Sequence, residues 1–261
     1  MCIAQVKAER WYNTHAFVLI HDGVWWAQVQ SSFTAVSAEQ LIHHMTHAGG
    51  TVSHALIDAI QLRKHEITPY LHALLAKPLM PSAHECEEYA RCHALIFLSS
   101  WQDIQTVPII GDILRRPDDN LCMLYEYLEH TVPAFGVHAI DMLASVLHDA
   151  HAPQSSRIIA STTLGSIGNI HPLTTRSITK VLRDVLPQPA QVMPDNHELW
   201  SWVVVTLAEL RSKAAQPQIN QLYQAGFLDP AICGRPDEFA RAINESISRT
   251  IFRDPLTLYQ Q

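Results

Sequence analysis

The sequence predicts an all-α protein in which about five antiparallel helical hairpins stack side by side as a solenoid. Three observations predict it. Apolar residues return at helical spacing in one segment after another from Thr51 onward. Proline and polar clusters cut those segments at intervals of roughly 30 to 40 residues, the range of helical repeats. Hydrophobic residues make up 48% of the 261 while charged ones make up 16%, which excludes a disordered chain and suits helices that bury a wide face.

Residues 1–50 read as an atypical segment, and 51–261 as the helical stack. Phe17 to Ile20 and Val24 to Val29 flank His21-Asp22-Gly23, the pattern of a short β-hairpin turning at Asp-Gly. An extra helical layer is the alternative there. Ser37, followed three residues later by Gln40, is a capping box that opens a short helix ending at Gly49-Gly50.

The stripes follow in order. Ile67, Tyr70, Leu71, Leu74 and Leu75 share one helix face, as do Ile109, Ile110, Ile113 and Leu114. Ala139, Met142, Leu143, Val146 and Leu147 repeat the pattern, then Ile178, Val181, Leu182, Val185 and Leu186, then Leu199, Trp202, Val203, Thr206, Leu207 and Leu210. Breaks fall at Lys77-Pro78, at 117–120, at 151–154 and at 187–195, where proline removes the amide donor and clashes with the preceding turn. Hairpins are therefore expected at 53–77, 85–116, 121–149, 154–186 and 196–226. Each leaves an apolar face that only its neighbour covers. The tail from Arg235 is expected to hold one more helix, around Asp237 to Ile251, that caps the stack.

Two segments carry a resemblance. Thr106 to Asp119 resembles the second helix and exit turn of a HEAT repeat, and Arg157 to Gly168 resembles a HEAT first helix. Ile57 to Leu71 and Leu222 to Pro230 are similar to a bacterial HEAT-like family of unknown function, some of whose members carry a C-terminal SEC-C zinc motif. The likeness spans roughly residues 50 to 240. Gln261 is reached without the clustered cysteines and histidine of SEC-C, so no zinc role is carried over. The resemblance implies a fold and no catalytic residue.

Charge narrows the partners. Eighteen basic side chains against 25 acidic ones give a net charge of -7, and that field repels polyphosphates, so nucleic acid is not expected. Sixteen histidines make the balance sensitive to pH. Five scattered cysteines lack the spacing of a disulfide scaffold. The apolar run Ala16 to Ile20 is too short for a signal core or a membrane span. The expectation is a cytoplasmic protein with no membrane partner.

His84, Cys86, Cys92 and His93 are the densest group of metal-ligand types. Their spacing matches no zinc finger, and adjacent Cys92 and His93 point about 100° apart on a helix. The plainer reading buries Cys92 beside Ile96 and leaves His93 partly exposed. His43 and His47 form an i, i+4 pair without a third ligand, and His148 and His151 straddle a helix end. No metal site is expected. Gly165-Ser-Ile-Gly168 lies inside a helical pattern without a following lysine, so it reads as a place where two helices approach closely rather than a phosphate loop. No cofactor and no nucleophile motif follow. Glu87-Glu88 and Asp118-Asp119 read as solvated helix caps.

For binding, Trp202 falls on the core stripe and Trp200 off it, which makes Trp200 the surface candidate; Trp101 is another aromatic. Arg115, Arg116, Lys180 and Arg183 fall late in second helices, the elements that line the inner face of such solenoids. The leading function is a non-enzymatic scaffold or adaptor that binds a protein or peptide. The alternatives are a HEAT-repeat enzyme of the DNA glycosylase or bilin lyase kind, and a histidine-based metal or pH sensor.

Overall fold

The computed structural model describes residue 33 and residues 35–78, 85–116, 122–187, 196–244 and 253–260. The hairpin reading at 17–29 lies outside the described residues, as do His84 and Asp118-Asp119. Among the described residues the chain is all-helical and holds no strand. No helix among them is long and apolar enough to cross a membrane.

Helix α1, Ala38–Thr46, opens on the expected capping box: the Ser37 hydroxyl accepts from the Gln40 amide at 3.2 Å, and the Gln40 side chain accepts from the Ser37 amide at 2.9 Å. Each of the five expected hairpin spans then holds two helices: α2 and α3 (His54–Leu62, Lys64–Ala76), α4 and α5 (Glu85–Ser100, Thr106–Leu114), α6 and α7 (Cys122–Thr131, Ile140–His148), α8 and α9 (Gln154–Ile170, Thr175–Val185), α10 and α11 (His197–Glu209, Gln216–Gln224). A 3-10 turn, Val132–Ala139, joins α6 to α7. Two short helices follow, α12 at Pro230–Cys233 and α13 at Pro236–Ala242, and the tail ends in a 3-10 turn at Pro255–Gln260.

Pro69 lies inside α3, where it removes an amide donor from the helix, whereas the prolines of four other helices sit where they are readily carried. Pro108, Pro217, Pro230 and Pro236 all lie in first turns, where the missing amide has no intrahelical partner to lose. The ends are shaped alike at two distant points. Gln102 (φ 52°) and Arg211 (φ 52°) stand in the left-handed region just after α4 and α10. In each case the next amide reaches back five residues, Asp103 to the Leu98 carbonyl at 3.1 Å and Ser212 to Leu207 at 3.0 Å, which satisfies helix-end carbonyls.

The helices pack in two rows. α4, α6, α8 and α10 lie side by side in chain order, and α3, α5, α7 and α9 form the second row. α1 covers the near end, against α2, α3 and α4. Ile110, Leu143, Leu164, Ile178, Leu182 and Leu207 are among the side chains buried between the rows. α8 and α10 come unusually close. A Cβ on Gly165 would stand 2.4 Å from the Thr206 methyl, and one on Gly168 would stand 2.8 Å from Leu210, so these glycines serve helix contact, as their sequence suggests.

The C-terminal reading needs correcting. Of the helix expected at 237–251, the described part is α13, and the chain beyond it does not simply cap the far end. The turn at Pro255–Gln260 packs back on α4.

Candidate functional site

Among the described residues, a cleft of about 1120 Å³ opens on the first-helix row. Each of its helices contributes a stripe of its own. α6 supplies Glu126, Tyr127, Glu129 and His130; α8 supplies Thr162, Ser166 and Asn169; α10 supplies Trp202, Val205 and Glu209. These positions recur every three or four residues, the spacing of one helix face. The tail closes one side with Arg253, Asp254, Thr257 and Leu258, and Arg211 stands beyond the end of α10.

The same lining shows how the helices are oriented. Glu129 and His130 belong to the last turn of α6, Asn169 and Ile170 to the last turn of α8, and Glu209 ends α10. Three C-terminal ends therefore converge on one cleft, each carrying the negative pole of its helix. Among the described residues of the lining, four carboxylates, Glu126, Glu129, Glu209 and Asp254, stand beside two guanidiniums, Arg211 and Arg253. Partial burial first, and the Glu129 carboxylate second, push the Glu209 carboxyl above its ordinary value. Its side chain is still exposed, so water screens much of that repulsion.

Two tryptophans exchange places relative to the sequence reading. Trp200 is 3% exposed, buried against the rings of His197 (centroids 5.7 Å apart) and Phe227 (5.8 Å). It offers no surface for docking. Trp202 is half-buried and lines the cleft. A sequence signal for this exists. At about 100° per residue, Trp200 falls inside the arc of Leu199, Val203, Val204 and Leu207, whereas Trp202, Val205 and Glu209 fall nearly opposite. Trp101 is packed on Phe97 at 5.6 Å, with the Lys64 ammonium 5.6 Å from its ring centroid.

The arginines on the second row serve the fold. Arg115 donates to the Gly111 carbonyl at 2.9 Å and to the Ser145 hydroxyl at 2.8 Å, and stands 3.5 Å from Asp149, tying α5 to α7. Arg183 meets the Gln218 side chain at 3.5 Å, and Gln218 donates back to the Arg183 carbonyl, tying α9 to α11. Arg116 is half-buried, and Lys180 is exposed. Two of the four residues of the expected basic strip, Arg115 and Arg183, are thus engaged in contacts between neighbouring helices.

The metal candidates do not converge. Among the described residues no three His, Cys, Asp or Glu side chains gather as an ion site. His43 and His47 lie on the exposed side of α1 with their rings tilted and centroids 4.2 Å apart, and His47 Nδ1 meets the His43 carbonyl at 2.8 Å. Cys86 is half-buried, whereas Cys92 is fully buried, and burial pushes its thiol up to about 12. His93, expected to be partly exposed, is 2% exposed. Its Nε2 meets the Gly49 carbonyl at 2.7 Å and its Nδ1 the Tyr259 hydroxyl at 3.1 Å, so both nitrogens are engaged.

One other polar constellation stands out. His72 Nε2 is 2.8 Å from Asp103 and 3.1 Å from the Thr106 hydroxyl. Both contacts fall on the same ring nitrogen, whereas a nucleophile relay needs base and orienter on opposite nitrogens.

No family model, no curated protein and no solved structure matches this chain.

Proposed function

We propose that this chain is a non-enzymatic binding module, a HEAT-like α-solenoid that takes a protein or peptide partner on its first-helix face. Support for the repeat reading comes from five consecutive helix pairs, eight of whose helices pack in two rows, and from the matching left-handed caps at Gln102 and Arg211. In a stack of this kind each pair covers its neighbour, and a continuous surface runs along each row.

The observation that carries the binding reading is the cleft across α6, α8 and α10, with Trp202 and Tyr127 in its wall. Aromatic side chains set in a depression are the usual anchors of recognition. On the second row, where the sequence pointed to a basic strip, Arg115 and Arg183 are instead tied to neighbouring helices.

A photo-reactive amino acid at Thr162, inside the cleft, tests this against one at Lys180 on the second row. The expected result is one recurrent crosslinked protein from Thr162 in native extract, lost when Trp202→Ala is added, with none from Lys180. A specific product from Lys180 alone would move the site to the other face, and identical background from both positions would remove the binding reading.

A further inference from the structure

Resting on that reading, we infer that the cleft docks a basic segment of the partner protein, seating a lysine or arginine side chain between Glu129 and Glu209 with its stem against Trp202. Two independent features of the backbone and side chains favour a cation there. The C-terminal ends of α6, α8 and α10 meet at the cleft, and each brings about half a negative charge from its aligned peptide dipoles. Glu129 lies in the last turn of α6, and Glu209 is the last residue of α10. A carboxylate at a helix C-terminus opposes the dipole instead of complementing it, and here two of them face one another's field. Local helix stability would select lysine or arginine at such positions. A positive group from outside relieves all of these repulsions at once.

The remaining lining sets the kind of cation. Trp202 and Tyr127 present ring surface within the same cleft, which suits a guanidinium or ammonium by cation–π attraction and covers its methylene stem. At about 1120 Å³ the space is at the upper limit of small-ligand pockets, which run to about 1,000 Å³, and Glu126, Glu129, His130 and Arg211 on its walls are exposed. An open space of that size fits a stretch of chain rather than an enclosed small amine. Arg253 sits in the same lining and is exposed, so a carboxylate or backbone carbonyl of the segment has a donor to meet. The cleft also lies within a chain whose net charge is -7, so long-range attraction steers a basic partner toward it.

The test uses three fluorescein-labelled peptides of one length on a Gly/Ser frame, bearing arginines, glutamates or no charge, read by fluorescence anisotropy at physiological salt. The arginine peptide is expected to bind and the other two are not. Glu129→Gln with Glu209→Gln should weaken binding about tenfold or more, and Trp202→Ala should weaken it as well. The control is Asp112→Asn with Asp184→Asn, exposed second-row positions that remove the same charge, and it should leave affinity within about twofold. All four carboxylates are exposed, and a single cooperative thermal unfolding transition in each variant verifies that it folds. Equal loss in the cleft and control variants, or equal binding of the neutral peptide, overturns the inference. If the arginine peptide fails while the Thr162 crosslink still depends on Trp202, the cationic assignment falls and the binding module stands. If both fail, both fall.

Discussion

The hydroxyl of Tyr259 donates to Nδ1 of His93 at 3.1 Å across 166 residues of chain, while Nε2 of the same ring donates to the Gly49 carbonyl at 2.7 Å. One neutral imidazole thus joins the C-terminal turn, the middle of α4 and the turn after α1. The phenol also rests on Phe97, with centroids 5.7 Å apart. Because Arg253, Asp254, Thr257 and Leu258 precede this anchor and wall the cleft, the position of the cleft's fourth side depends on it.

Burial holds His93 below its ordinary value of 6.5. The folded state therefore takes up this proton less readily than the unfolded chain, and the stability that the neutral ring contributes is whole above pH 6.5 and lost as the pH falls below it. Urea unfolding between about pH 7.5 and 5.5 should show the midpoint falling at constant slope. His93→Gln should lower the midpoint at neutral pH and flatten its decline with acid. An equally steep decline in the variant would assign the effect to other histidines.

Tyr259→Phe keeps the ring and deletes the hydroxyl, leaving Nδ1 of a buried imidazole without its donor. The expected cost is about 1 to 2 kcal/mol. Hydrogen exchange should speed up at 255–260 and leave α8 and α10 unchanged. Uniform acceleration along the chain would mean that the contact supports the whole fold instead of the tail.

At Gly165 two effects oppose each other. Alanine favours a helix over glycine by roughly 0.5 to 1 kcal/mol, but its methyl would stand 2.4 Å from Thr206 Cγ2, and overpacking of that kind costs about 1 to 3 kcal/mol. Thr206 has little room to yield, since it is fully buried and its hydroxyl donates to the Trp202 carbonyl at 3.1 Å. Overpacking wins, so Gly165→Ala should destabilise by about 1 to 2 kcal/mol. Adding Thr206→Ser, which deletes the opposing methyl, should recover most of the loss.

Helix positions were legible because buried apolar stripes and proline breaks are local signals. The capping box at Ser37 and Gln40 and the breaks after Ala76 and Leu186 needed no tertiary information. The cleft was harder to see. Its stripes, such as Thr162, Ser166 and Asn169, look like any solvated helix face until three helices are set side by side. The wall from Asp254 to Leu258 comes from a tail whose return to α4 no periodicity announces. Trp200 was readable and misassigned, because a stripe drawn through Trp202 omits the wider core face that Trp200 and Val204 complete. His93 was misplaced for a different reason. Its partners, Gly49 and Tyr259, are distant in sequence, and only they make burying an imidazole affordable.

Cys92 gives a chemical check on the core of α4. Its thiol is fully buried, and burial raises it to about 12, so almost no thiolate is present near neutrality. Iodoacetamide at about pH 8 should leave Cys92 unmodified in the native protein and label it in urea, as read by peptide mass spectrometry. Half-buried Cys233 should react well before it. Native labelling of Cys92 at the rate of Cys233 would contradict the packing described for α4.

The pairing of Glu129 with Glu209 can be read without any ligand. Burial is the larger cause of the raised Glu209 carboxyl and the Glu129 charge the smaller. Glu129→Gln should therefore move the Glu209 midpoint part of the way back toward 4.5, the ordinary value, and not all of it. Side-chain carboxyl carbon shifts followed by NMR through an acid titration measure this directly. Raising the salt concentration should lower the midpoint in the parent and have less effect in the variant, because screening acts on the charge and not on burial. Since a raised acid favours its protonated form in the folded state, ionising Glu209 costs stability as the pH rises through its midpoint, and Glu129→Gln should reduce that loss. A Glu209 midpoint that ignores both the substitution and the salt would place the two carboxylates too far apart to share a bound cation.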